Sequence, residues 1–174
     1  ADYFSDTKAL SEIYFIGPKK KGAGLEGSKD FSKKFMQRHS IPTADHKTFR
    51  KDQLSEAIEH LNEIHKPYVL KADGLAGGKG VVIHDDLNLA KEEVKEMLLD
   101  EKFGEASSKV VVEEFLEGIE FSIFVLTDGN GYLLLPEAKD YKRIGEGDKG
   151  LNTGGMGAVS PVPFISESIL NEVQ

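Results

Sequence analysis

A chain of 174 residues, 39% hydrophobic and 30% charged with no cysteine, has a globular composition that excludes disulfides and thiolate chemistry. No apolar run could span a membrane, and the first residues, ADYFSDTKAL, lack the basic-then-apolar layout of a signal peptide, so the chain reads as cytoplasmic. The net charge of -8 has the wrong sign for a nucleic-acid binder, so any phosphate must be met by a few focused lysines.

In chain order, Ile13 to Gly17 is a short apolar run stopped by Gly17-Pro18, which reads as a strand end. Lys19-Lys20-Lys21 reads as a solvated turn. Ser28 is placed to cap a helix running to about His39, with Phe31, Phe35 and Met36 on one face. Asp52 is placed to cap a second helix, in which Leu54, Ala57, Ile58, Leu61 and Ile64 recur at helical spacing. Tyr68 to Ala72 and Val81 to His84 read as partner strands around a glycine loop. Asp86 then starts a third helix with Leu87, Ala90, Val94, Met97 and Leu98 inward. Lys109 to Glu113 is a β-branched strand, and residues 119 to 126 alternate as a half-buried strand would. Gly129-Asn130-Gly131 turns into a strand from Tyr132 to Leu135, and after Pro136 the chain is polar and glycine-rich up to Pro163. This order lacks a regular βαβ rhythm and predicts an α+β fold.

Three glycine patterns compete as a phosphate site. G-x-G-x-x-G occurs at Gly22, Gly24 and Gly27, and again at Gly145, Gly147 and Gly150, but neither opens a helix directly after a strand, as dinucleotide binding needs. The third, KADGLAGGKGVVI (Lys71 to Ile83), is not a Walker A loop, because it joins two strands and Gly80 stands where a Ser or Thr would hold the metal. Such a hairpin can close over a triphosphate, with glycine allowing close backbone approach and positive φ. The loop by itself fits a flexible hairpin tip equally well. Lys71 before the loop, Lys79 within it and the strand–break–strand VVVEEFLEGIEFS beyond it favour the flap. The five histidines show no ligand spacing.

The stretches GPKKKGAGLEGSKDF, SIPTA, VLKADGLAGGKGVVI, VVVEEFLEGIEFS and KDYKRIGEGDKGLNTGGMGAVSPVP together resemble the ATP-grasp superfamily, and within it the glycinamide ribonucleotide synthetases, or phosphoribosylamine–glycine ligases. The resemblance covers nearly the whole chain, with KADGLAGGKG and NTGGMG its most specific parts; Gly77 departs from the alanine expected in many relatives. It implies an ATP-grasp fold with a lid lobe and part of a lower lobe. Residues 1–24 would be the tail of a Rossmann-like N-terminal domain with its last strand, 25–46 the start of the lower lobe, 47–112 the lid, and 113–174 the hinge and remaining lower lobe.

It also implies ATP-driven amide formation between glycine and phosphoribosylamine through a glycyl phosphate, in purine biosynthesis, with ATP and magnesium or manganese as cofactors. Lys29 and Lys71 would reach the nucleotide phosphates, with Gly74, Gly77, Gly78, Lys79 and Gly80 folded over them. Glu113 and Leu116 would hold the adenine through their backbone, with Phe115 in the same hinge, and Glu120 would take the ribose hydroxyls. Lys71, Lys142 and Arg143 would serve catalysis, and Asn152, Thr153, Gly154 and Gly155 would face the other substrates. The family's metal ligands and its RFGDPE motif do not occur in these residues. The chain is therefore expected to be a central fragment, inactive alone and with no metal ligand of its own. Another ATP-grasp carboxylate–amine ligase and a non-catalytic nucleotide-binding module are the alternatives. No membrane, nucleic-acid or protein partner is read.

Overall fold

A computed structural model describes residues 1–147 and 149–173, apart from the side chains of Leu151 and Asn152. The chain divides into two compact units, residues 1–116 and 117–174.

The first unit begins with helices α1 (Asp2–Asp6), α2 (Lys20–Gly27) and α3 (Lys29–Arg38). A mixed region follows: β1 (His46–Arg50), α4 (Leu54–Glu63), β2 (Tyr68–Ala72), β3 (Val81–His84), α5 (Leu87–Leu99) and β4 (Lys109–Glu113). The strands form one antiparallel sheet in the order β1-β4-β2-β3. The periodicity of α4 and α5 dictates the core. Ala57 and Leu61 from α4 and Ala90, Val94, Met97 and Leu98 from α5 pack on Phe49, Leu70, Val110 and Val112. Successive strand residues face opposite ways. Lys71, Val111 and Glu113 therefore lie on the other face of the sheet, where side chains of α3 meet Lys109 and Glu113.

Two capping residues sit where the sequence places them. Ser28 accepts a hydrogen bond from Phe31 N at the start of α3, and Asp86 accepts from Asn88 N and Leu89 N at the start of α5. Asp52 does not cap α4. A short 3-10 turn (Lys51–Gln53) comes first, and α4 starts after Gln53 with no side-chain cap. Ile13 to Gly17 forms no strand, so the strand expected from a Rossmann-like domain is absent there. No strand among the described residues pairs with this segment, and its Tyr14 is fully exposed. Gly22 and Gly24 lie inside α2 and Gly27 ends it, far from a strand–turn–helix setting.

The second unit is a meander of β5 (Ser122–Thr127), β6 (Tyr132–Gly145) and β7 (Lys149–Val159), followed by α6 (Glu167–Val173). The polar, glycine-rich stretch after Pro136 is mostly a long β6–β7 hairpin that takes in Gly145, Gly147 and Gly150. The alternation in β5 does not mark a buried face, since neighbouring Phe124 and Val125 are both exposed.

Candidate functional site

The glycine hairpin joins β2 to β3. At its tip Lys79 N donates to Ala76 O at 3.0 Å, closing a turn whose central residues Gly77 and Gly78 have φ of 57° and 78°. Two consecutive left-handed residues define a type I′ turn, which side chains oppose. At its root, Gly74 N donates to Ala106 O at 3.1 Å, and a Cβ on Gly74 would lie 2.9 Å from Ala106 Cα. Glycine is therefore required for close approach at the root and for handedness at the tip.

The root is tied to α3. Ser28 Oγ donates to the Asp73 carboxylate at 2.9 and 3.0 Å, and Asp30 N donates to Asp73 Oδ1 at 2.7 Å. A carboxylate thus sits at the positive end of the helix. That offsets the unfavourable placement of Lys29 in the first turn. Lys29 Nζ turns back to the hairpin and donates to Ala72 O at 2.7 Å and Gly74 O at 3.1 Å. Burial lowers the Lys29 pKa, and the neighbouring Lys71 charge pushes the same way against the opposing pull of Asp73 and Glu113.

Lys71 Nζ donates to Glu113 Oε2 at 2.7 Å, and Lys33 Nζ approaches the same oxygen at 3.3 Å. Lys33, which the sequence does not single out, is 6% exposed. It also donates to Thr43 Oγ1 at 2.8 Å and Ala44 O at 3.1 Å. The one available signal was its position four residues after Lys29, on the same helix face. Asp30 is a second buried acid on α3, with Oδ2 accepting from Lys34 and Lys109, each at 2.9 Å. Burial raises its carboxyl, but the hydrogen bonds from Lys109 and Lys34 outweigh this and bring the pKa down to about 2.

Beyond Glu113 the chain turns outward. Glu114 is exposed on the opposite side, where its Oε2 accepts from Asp45 N at 3.3 Å. Phe115 and Leu116 are exposed as well, and so is Lys79 at the hairpin tip.

The second unit has its own cluster. Lys142 Nζ donates to Glu120 Oε1 at 2.6 Å and lies 3.4 Å from Asp140 Oδ2. The hydrogen bond to Glu120 is the main cause of a raised Lys142 pKa. Thr153 Oγ1 donates to Lys142 O at 2.8 Å and accepts from Gly155 N at 3.1 Å, while Arg143 Nη1 donates to Gly150 O at 3.4 Å. Gly154 and Gly155 lie within β7. Asn152 pairs with Arg143 in the β6–β7 ladder, and its side chain lies outside the described residues.

Within the first unit, then, Lys29, Lys71 and Glu113 meet at the root of the loop Gly74 to Gly80. Within the second, Glu120, Lys142 and Thr153 meet. Among the described residues, no group of three or more His, Cys, Asp or Glu side chains could hold a metal ion. No helix among them is long and apolar enough to cross a membrane.

The chain is similar to known proteins along nearly its whole length. A phosphoribosylamine–glycine ligase of Leptospira interrogans is 48% identical over 171 residues, which are 98% of this chain and 40% of that protein. The crystal structure of a phosphoribosylamine–glycine ligase from Thermotoga maritima superposes with a TM-score of 0.81 at 39% identity, over 91% of this chain and 40% of that one. The biotin carboxylase domain of Hydrogenobacter thermophilus 2-oxoglutarate carboxylase, solved with MgADP, superposes with a TM-score of 0.62 at 26% identity, over 82% of this chain and 32% of that one. The chain thus spans about two fifths of the length of the ligases it matches. Residues 27–174 match the phosphoribosylglycinamide synthetase ATP-grasp (A) domain, and the chain belongs to that family, with an α+β, ATP-grasp fold.

Proposed function

We propose that this chain supplies the nucleotide-binding part of an ATP-dependent carbon–nitrogen ligase that joins glycine to phosphoribosylamine, giving glycinamide ribonucleotide, ADP and phosphate. The observation that carries this reading is the meeting of Lys29 and Lys71 at the root of the glycine hairpin. An ammonium ion has three donors. Lys29 spends two on backbone carbonyls and Lys71 spends one on Glu113, which leaves N–H groups for an anion. The backbone N–H groups of Gly77 and Gly78 at the exposed tip add uncharged donors suited to a flap over phosphates.

In this reading Glu113, Phe115 and Leu116 meet the adenine, Glu120 takes the ribose hydroxyls, and Lys142, Arg143, Asn152, Thr153, Gly154 and Gly155 face glycine and phosphoribosylamine. The reaction passes through a glycyl phosphate, which the amine attacks with loss of phosphate. The protein's part is positioning and electrostatic stabilisation of the transferring phosphoryl group. Support comes from the names of the ligases in Leptospira and Thermotoga and from the MgADP bound in the carboxylase. The activity is a cytoplasmic one, and the magnesium ligands are supplied by residues other than those described.

Calorimetric titration of the chain with Mg·ADP tests the reading. Saturable binding is expected, weakened at least tenfold in Lys71→Met, and its absence from the unsubstituted chain would overturn the proposal. Glycine-dependent phosphate release from ATP, with phosphoribosylamine present, is expected to stay below detection for the 174 residues. Robust turnover would place the metal ligands within them.

A further inference from the structure

We infer that the Glu113 carboxylate, locked in place by buried Lys33, is a positioning group that holds Lys71 aimed at the phosphates of a bound nucleotide; the inference rests on the nucleotide reading above. Two lysines converge on one oxygen, Glu113 Oε2, but they are not equivalent. Lys33 is 6% exposed and has three partners, Glu113, Thr43 and Ala44, so its donors are all engaged and its place is fixed. Lys71 is 26% exposed and spends one donor on Glu113.

If the only task were to neutralise a buried carboxylate, Lys33 would suffice. The second ammonium is surplus to that task. Its other two N–H groups stay available on the side of the hairpin root, where Lys29 is held by Ala72 O and Gly74 O. A free lysine samples many rotamers, and pinning one donor removes most of that freedom before a ligand arrives. Glu113 itself touches no phosphate in this scheme. It acts through Lys71.

Two measurements on the 174-residue chain test the inference. The first needs no ligand: lysine acetylation followed by peptide mass spectrometry, with Lys109 as internal reference. Glu113→Gln is expected to raise the Lys71 modification rate at least threefold relative to Lys109, because Lys71 loses its charged partner and keeps at most a weaker, neutral acceptor. An unchanged rate in a variant with unaltered circular dichroism would overturn the inference. Should Glu113→Gln fail to fold because Lys33 is left buried and unpaired, Lys33→Met/Glu113→Gln removes both members and is read in the same way.

The second is a double-mutant cycle in Mg·ADP affinity. Glu113→Gln is expected to weaken binding about tenfold, equivalent to about 1.4 kcal/mol, and to add nothing once Lys71→Met is present. Additive losses would mean that Glu113 acts independently of Lys71, and would overturn the positioning role. Raised Lys71 acetylation in Glu113→Gln together with no Mg·ADP binding by the unsubstituted chain would retain the restraint on Lys71 and overturn the nucleotide reading instead.

Discussion

The two units of this chain are both antiparallel sheets, yet they are stabilised in different ways. In residues 1–116 the sheet is covered by α4 and α5, and the central strand buries Val110, Val111 and Val112 almost completely. In residues 117–174, β5, β6 and β7 are paired along their backbones while Phe124, Val125, Leu126 and Leu133 remain exposed. The same contrast holds for the charged residues. Lys33, Asp30, Asp73 and Glu113 of the first unit are buried and each has a hydrogen-bond or ion-pair partner within that unit, whereas Glu120, Lys142 and Arg143 of the second are exposed. Ladder hydrogen bonds suffice to define strands; fixing a charged side chain requires packed surroundings.

The sharpest way to break this comparison is to truncate one leucine in each unit. Leu70 is fully buried, so Leu70→Ala is expected to destabilise the first unit by about 2–5 kcal/mol through lost burial and the cavity left behind. Leu133 is 60% exposed, and Leu133→Ala is expected to change stability by less than about 0.5 kcal/mol. Urea unfolding of both variants, followed by hydrogen exchange within each unit, measures the difference. Similar losses would mean that the second unit has a core of its own.

The buried acids give the next effect, tied to pH. The folded pKa of Asp30 is about 2, below its ordinary 3.8, so its contribution is complete above the ordinary value and is lost as pH falls toward 2. The span corresponds to about 2 kcal/mol. Stability measured between pH 5 and pH 2 (roughly the range linkage predicts) should fall less steeply in Asp30→Asn than in the unsubstituted chain. Parallel curves would remove Asp30 from the acid response.

The same contrast explains what could be read before the structure. Ser28 and Asp86 were legible as caps because N-capping is local, and the α4 and α5 faces were legible because their burial follows the helical period. The glycine hairpin was legible because Gly77 and Gly78 satisfy a backbone demand that other residues meet poorly. Lys33 was not, since nothing local distinguishes a solvated lysine from one whose partners, Thr43, Ala44 and Glu113, come from distant segments. The start of β6 was read at Tyr132 to Leu135, but its continuation past Pro136 and the whole of β7 were missed, because a largely exposed sheet imposes little alternation on its sequence. Ile13 to Gly17 misled in the opposite sense: apolar residues alone make no strand without a neighbour to pair with.

A smaller effect separates two glycines at hairpin turns. Gly77 has φ of 57°, and a Cβ there costs about 1–2 kcal/mol through the left-handed backbone even though the surrounding space is open. Gly131, in the turn between β5 and β6, has no such φ and also faces open space. Gly77→Ala should speed hydrogen exchange at the β2–β3 pairs, and Gly131→Ala should leave exchange at the β5–β6 pairs unchanged.

The smallest effect is expected where two ion pairs look most alike. Lys71–Glu113 and Lys142–Glu120 are 2.7 and 2.6 Å long, so length alone would rank them equal. Their surroundings differ: Glu113 is 5% exposed and Glu120 is 68% exposed. Water and ions screen the second pair, and ordering two long side chains at the surface offsets much of the attraction. A double-mutant cycle with Lys142→Met and Glu120→Gln should therefore give a coupling of about 0.2–1 kcal/mol at low salt that fades as salt is added. Its pH dependence has a definite sign. The Lys142 pKa is raised by Glu120, so whatever the pair contributes is present below the ordinary lysine value of 10.5 and is lost as pH rises through the folded one. The cycle at Lys71 and Glu113 should give a larger coupling that salt barely changes, because that carboxylate is shielded from the ions. Equal salt sensitivity in the two cycles would show that solvent reaches Glu113 as freely as Glu120, and the contrast between the two units would no longer extend to their charged clusters.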